Sequence, residues 1–202
     1  MTLMDAAAQI VRVGYQGEQG SNSLEAARGI VAGRSMGACD FLGLVSSIHV
    51  IESLVAGHCD YGVVAVRNSF AGTVSETAAA LEGAPAHVLA ELSLPVEHCL
   101  FRLPGVADDE LTSVASHPQA LAQTRQHRAK IAPQLVENPT PDTAISARWL
   151  AQGTLPPSTA VICSRQAGEL YGLHLMAAGI QDDPDNHTDF VLLELDAPAG
   201  AR

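Results

Sequence analysis

Apolar residues alternate in short runs along most of the chain, and helix-like stretches separate these runs. Residues 10–16 alternate and then meet Gly17 and Gly20, which reads as a strand entering a turn. Residues 24–33 hold good helix formers and end at Gly29 or Gly33, with Ser23 placed to cap the start. A short strand is predicted over 40–45. Ile48, Ile51 and Val55 share one helical face of 47–56, which Gly57 stops. Residues 60–66 are almost continuously apolar, as a strand buried on both faces is. Thr73 and Glu76 fit a T-x-x-E capping box ahead of another helix. Further strands are predicted at 86–93, 112–116, 134–137, 159–163 and 188–195. Further helices are predicted over 116–132, with Pro118 in the first turn, and over 142–151 and 164–171.

This order predicts an α/β chain with largely parallel sheets. The pattern restarts at 94–103, so two lobes are expected, with crossings near 92–97 and 175–182. Lobe 1 would take about 1–93 plus 180–202, and lobe 2 about 94–179. Ligands of such folds sit where strands end and helices begin. Four polar clusters fall at such junctions: Gly20-Ser21-Asn22-Ser23, Asn68-Ser69 with Gly72-Thr73, Ser116-His117, and Asp142-Thr143. Each offers backbone N–H groups and a hydroxyl or amide, so together they predict a neutral pocket for carboxylates. Taken singly, each is explained by helix capping alone.

Composition narrows the partners. The chain has 202 residues, enough to bury a core without a disulfide or metal staple. Acidic residues number 22 and basic ones 11, a net charge of −11, which argues against a nucleic-acid or anionic-membrane partner. Lys130 is the one lysine. The start lacks a basic leader segment, and no apolar run approaches the ~20 residues of a membrane span. Cys39, Cys59, Cys99 and Cys163 are scattered and read as free thiols of a cytoplasmic protein. The tail over 196–202 reads as frayed. The eight histidines show no metal-ligand spacing. His117, before a proline at a helix start, is placed to face a ligand, whereas His98, inside an apolar strand, reads as a core histidine. No P-loop, Rossmann spacing or nucleophile elbow occurs, so neither metal nor cofactor is expected.

Several blocks then stand in a family's order. Gly14-Tyr15-Gln16-Gly17, Gly20, Ser23 and Ala26-Ala27 come first. Asp60-Tyr61-Gly62-Val63-Val64, Asn68-Ser69, Gly72 and Val74 follow, and then His98-Cys99-Leu100. Next come Ser116-His117-Pro118-Gln119-Ala120-Leu121-Ala122-Gln123, Glu169-Leu170-Tyr171-Gly172-Leu173, Ile180-Gln181-Asp182, Asn186, Thr188 and Phe190. From about residue 11 to residue 195 the chain resembles the catalytic domain of prephenate dehydratase. The resemblance implies a two-lobed fold like a type II periplasmic binding protein, with the active site between the lobes. It implies prephenate as small-molecule substrate, losing CO2 and water to give phenylpyruvate, and a homodimer as one assembly. It implies Thr188 as the catalytic hydroxyl. It also implies that Ser23, Asn68, Ser69, Gly72, Ser116, His117, Gln119, Ala120 and Thr143 line the cleft.

The sequence departs from the family in three places. Its T-R-F motif is Thr188-Asp189-Phe190, the acid before Asn68-Ser69 is Arg67, and the pattern contains no regulatory ACT domain. Because the two charge changes have opposite sign, either Arg67 and Asp189 pair at the cleft, or they are independent changes on its rim worth at most ~1 kcal/mol. Three readings follow: a prephenate dehydratase, a non-aromatising prephenate decarboxylase with His187 or Asp189 relocating the acid, and a non-catalytic module binding an aromatic oxo acid.

Overall fold

The computed structural model describes residues 10–196 and arranges them in two mixed sheets, each covered by helices on both faces. In the six-stranded first sheet, β1 (Val11–Gln16) lies between β2 (Cys39–Leu44) and β3 (Tyr61–Asn68), parallel to both. The last strand, β11 (His187–Leu195), is inserted antiparallel between β3 and β5 (Ala86–Pro95). The two-residue β4 (Gly72–Thr73) pairs with the end of β3. The second sheet runs β10 (His174–Ala177), β6 (Cys99–Arg102), β9 (Thr159–Cys163), β7 (Ser113–Ser116), β8 (Val136–Pro139). Only the β9–β7 and β7–β8 pairs in it are parallel.

The expectation of largely parallel sheets is therefore corrected. The chain enters the second sheet through β6 and returns to the first through β11, and both run against the strands they join. Strand β10, which the pattern did not predict, is a four-residue edge strand with an irregular register. The residues past Asp196, in the tail predicted to fray, and those before Ile10, read for a leader, lie outside the described residues.

Burial follows the residue pattern. Val63 packs with α1 (Asn22–Gly33) on one face of the first sheet, and Val64 packs with α2 (Ser47–Val55) on the other. This is why residues 60–66 read as an unbroken apolar run. In the second sheet, α6 (Thr143–Ala151) and α7 (Arg165–Leu170) cover one face and α4 (Pro118–Gln123) the other.

Three local expectations change. Ser21, not Ser23, caps α1, its hydroxyl oxygen accepting from Leu24 N at 3.3 Å. The Thr73–Glu76 capping box does not form. Thr73 is in β4, and α3 (Ser75–Leu81) starts after Val74 with no side-chain cap. Glu76 instead accepts from Ser47 N at 3.0 Å, capping α2 from a distance. The helix over 116–132 is split at Thr124 into α4 and α5 (Arg125–Ile131). The buried Thr124 hydroxyl donates back to Ala120 O at 2.8 Å while accepting from Arg128 Nε, and such back-bonding bends a helix.

Candidate active site

The two sheets meet over a cleft of about 360 Å³, and the β1–α1 loop sets its width. Gly20 lies there with φ +83°, and a Cβ on it would stand 2.7 Å from Ala167 Cα of α7. Only glycine fits this approach, which Ser164 ties down by donating to Gly20 O at 2.6 Å.

Asn68 joins the two sides. It is 5% exposed, and its Oδ1 accepts from the backbone N–H of Phe70 and Ala71, at 3.1 and 3.0 Å. Those backbone donors fix the amide orientation, since a flipped amide would face them with its own N–H groups. Oδ1 also accepts from Gln119 Nε2 and Gln123 Nε2 of α4, both at 3.1 Å. Nδ2 then stands 3.0 Å from each of Asn186 Oδ1, His187 O and Thr188 Oγ1, so its two hydrogens serve three acceptors.

The donors line up in one sense. The amide nitrogen of Gln123 points at Asn68, so its Oε1 faces His98 Nε2 at 2.8 Å and takes a hydrogen from it. Burial pushes the His98 imidazole below its usual value, against the raising effect of Gln123, which keeps the ring neutral at physiological pH. The chain therefore runs His98 to Gln123 to Asn68 to Thr188. It leaves the Thr188 hydroxyl hydrogen free to donate into the cleft, and bonds aligned in this way reinforce one another.

Around this centre the cleft is rich in donors. His117 Nδ1 accepts from Gln119 N at 3.2 Å, which leaves Nε2 as the donor of this cleft-lining ring. Gln16 has its Oε1 held by the buried Ser47 hydroxyl at 3.1 Å, and Thr77 stands 2.7 Å behind Ser47; the amide nitrogen of Gln16 is left for a ligand. The starts of α1 and α6 contribute Ser21, Asn22, Ser23 and Thr143, with first-turn N–H groups that no helix bond uses. Among the described residues no lysine or arginine lines the cleft, and the charged groups are Glu76 and Asp142. Among the described residues no three His, Cys, Asp or Glu side chains are grouped to hold a metal ion. No described helix is long and apolar enough to cross a membrane. The four cysteines are free, and burial raises the Cys99 thiol to about 11.

The family model described as prephenate dehydratase matches residues 13–198. The chain belongs to the prephenate dehydratase family. It is 38% identical over 186 residues to arogenate dehydratase 5, chloroplastic, of Arabidopsis thaliana, covering 92% of this chain and 42% of that protein. It is 31% identical to the prephenate dehydratase of Mycolicibacterium gilvum, covering 94% of this chain and 63% of that one. The chain thus spans less than half the length of the plant relative. A prephenate dehydratase from Arthrobacter aurescens, solved in complex with L-Phe, superposes with TM-score 0.83 at 25% identity, over 95% of this chain and 63% of that one. An ABC transporter protein from Parabacteroides distasonis shares the fold alone, with TM-score 0.52 at 9% identity, over 92% of this chain and 66% of that one. The architecture is the two-lobed, periplasmic-binding-protein-like one.

The family motifs now divide by position. Ser23, Asn68, His117, Gln119, Ala120, Thr143 and Thr188 line the cleft. Ser69 and Gly72 do not: Ser69 Oγ accepts from His187 N, and Gly72, at φ +78°, turns the chain into β4. Ser116 is fully buried behind the cleft, donating to Ile162 O at 2.6 Å. The expected Arg67–Asp189 pair at the cleft is corrected as well. The two residues are direct cross-strand neighbours, but they form no ion pair and do not line the cleft. A register shift between Asp189 and Phe190 explains this. Ala65 faces the cleft, and the extra residue on β3 turns Asn68 to that same face and Arg67 to the other. His98, read as a core histidine, is both buried and at the cleft wall. Gln16 and Gln123 were absent from the expected site, and Asp142 stood in it only as part of a junction cluster, with no role of its own. Their place in the family blocks or at a junction was the only signal they gave.

Proposed function

We propose that the cleft carries out decarboxylative dehydration of a cyclohexadienol carboxylate, prephenate or its amino-acid counterpart arogenate. The C–C bond to the ring carboxylate breaks, its electron pair moves through the ring, and the C–O bond to the ring hydroxyl breaks. Thr188 gives its proton to the departing oxygen and takes one back from solvent, leaving CO2, water and an aromatic product. The product is phenylpyruvate from prephenate and phenylalanine from arogenate. The observation that carries this reading is the hydrogen-bond chain that ends in the outward-donating Thr188 hydroxyl. A placed acid contributes about 10²–10⁴-fold. The free thiols fit a reducing compartment, and we infer the cytoplasm.

The non-aromatising decarboxylase reading needs an acid at a ring carbon. The two flanking side chains that would supply it, His187 and Asp189, do not line the cleft, and His187 Nδ1 is held against Asp185 O at 2.8 Å. The test is product identity by proton NMR, with prephenate or L-arogenate at neutral pH beside an enzyme-free control. Aromatic protons appearing faster than in the control support dehydration, and retained vinyl protons support decarboxylation. No turnover of either compound supports the binding module. Thr188→Ala is expected to lower kcat by about 10²-fold or more with little change in KM. Undiminished turnover in that variant would remove Thr188 as the acid.

A further inference from the structure

We propose that Asp142 makes the cleft select the amino-acid form of its substrate, in which an α-ammonium sits beside the side-chain α-carboxylate, over the corresponding 2-oxo acid. This rests on the reaction proposed above and adds which of the two compounds fits. The two carboxylate oxygens of Asp142 have different roles. Oδ1 is used by the fold, accepting from Ala144 N at 2.8 Å and Ile145 N at 2.9 Å. Oδ2 accepts no hydrogen bond among the described residues and forms no ion pair, although Asp142 lines the cleft.

The surroundings of Oδ2 say what it can take. It stands against the bare face of Gly17: a Cβ there would lie 3.7 Å from Oδ2 and 3.4 Å from Ser21 Oγ. Asp142, on the second lobe, therefore faces the start of α1 on the first. That start binds negative charge, since Asn22 and Ser23 line the cleft with N–H groups that no helix bond uses. One end of the site thus offers N–H donors and the other an unpaired carboxylate, across the width of a single residue. An α-carboxylate and an α-ammonium on one carbon match both. A 2-oxo acid supplies only the anion, and it sets a carbonyl oxygen against Oδ2.

Among the described residues no cation pairs with Oδ2. None of their lysines or arginines lines the cleft, and Arg148 is engaged by Glu18 at 3.2 Å. The second carboxylate there, Glu76, has Oε1 committed to Ser47 N and adds further negative potential. A site built to pair a charged group discriminates strongly against the analogue that lacks it, because its own group is left unpaired.

The experiment compares kcat/KM for L-arogenate and for prephenate in the wild type and in Asp142→Asn. Asparagine is an equally good N-cap, so the variant keeps the two backbone bonds to α6 and loses only the charge at Oδ2. The wild type is expected to favour L-arogenate by about tenfold or more, and the variant to lower that ratio by about 10–100-fold. Asp142→Ser, which also caps, repeats the comparison if the first variant melts early. A wild type that favours prephenate, or a ratio that neither variant moves, overturns the proposal. Calorimetric titration with each compound separates the two levels of inference. If neither compound turns over but L-arogenate binds, and binds more weakly to Asp142→Asn, the reaction fails and the selection stands. If neither binds, both fail.

Discussion

The two faces of the β3–β11 ladder carry adjacent residues under very different conditions. On the cleft face, Asn68 and Thr188 are register partners, and both polar side-chain atoms of Asn68 are bonded. On the opposite face, one residue away on each strand, Arg67 and Asp189 are also partners, yet they form no ion pair. The family motif around Thr188 is written continuously in sequence, but its members face different ways. A change at 189 therefore falls on the side away from the cleft, while a change at 68 or 188 alters a donor that faces it.

The largest expected effect is on the cleft face. Asn68→Asp keeps the shape and removes the N–H group that orients Thr188. One carboxylate oxygen, in the place of Nδ2, would then face Thr188, Asn186 and His187, and the Thr188 hydroxyl would donate back into the protein. Turnover is expected to fall by about 10²-fold or more. Each buried acceptor left without its donor costs about 1–3 kcal/mol, so the melting temperature should fall as well. Steady-state kinetics and a thermal melt check both. Wild-type kcat in this variant would show that the direction of the chain is irrelevant.

A middle-sized effect comes from the other end of that chain. Burial holds His98 below its usual value, so the folded protein binds its proton less readily than the unfolded chain does. Its contribution to stability is complete above the unfolded value of about 6.5 and is lost as pH falls from there through the depressed native value. Within that window the loss is at most about 1.4 kcal/mol per pH unit. Urea unfolding at pH 7.5 and at pH 5 is expected to show a weaker protein in acid, and His98→Gln should flatten the dependence. A protonated His98 still donates to Gln123, so stability is expected to drop before turnover does. Turnover failing first, in protein that is still folded, would point to another titrating group.

How much of this was legible in the residues depends on whether a feature is local. Most strands were, β4 and β10 excepted, because alternation and apolar runs belong to one segment, and Val63 and Val64 show the two buried faces directly. Thr188 and Asn68 were too, through their family blocks. The cap of α1 was not: Ser21, Asn22 and Ser23 all have suitable side chains, and the backbone at Ser21, φ −70° and ψ 156°, makes the choice. Glu76 had a local partner in the pattern and a distant one, Ser47, in the fold. Arg67 was misplaced because the motif and its charge opposite to Asp189 were the only guides, and the register shift that turns it from the cleft belongs to the strand pairing. His98 and Gln123 belong to the second lobe, and their role exists only once α4 meets Asn68.

The smallest expected effect tests the far face. Asp189→Arg restores the residue type of the family motif and places two like charges opposite each other, since Arg67 is the register partner. Like charges across an antiparallel pair cost about 0.2–1 kcal/mol, and because Arg67 is exposed, salt should screen most of that. The melting temperature is expected to fall by a few degrees at low ionic strength, and by less in about 0.5 M salt. The kcat/KM should stay within about twofold, because neither side chain reaches the cleft and exposed charges couple weakly. A tenfold gain would mean that an arginine at 189 does reach the substrate. A tenfold loss that salt does not relieve would mean that the far face shapes the near one through the register shift. Either result would end the division between the two faces, and measuring the double variant Arg67→Ala with Asp189→Arg would separate charge repulsion from register.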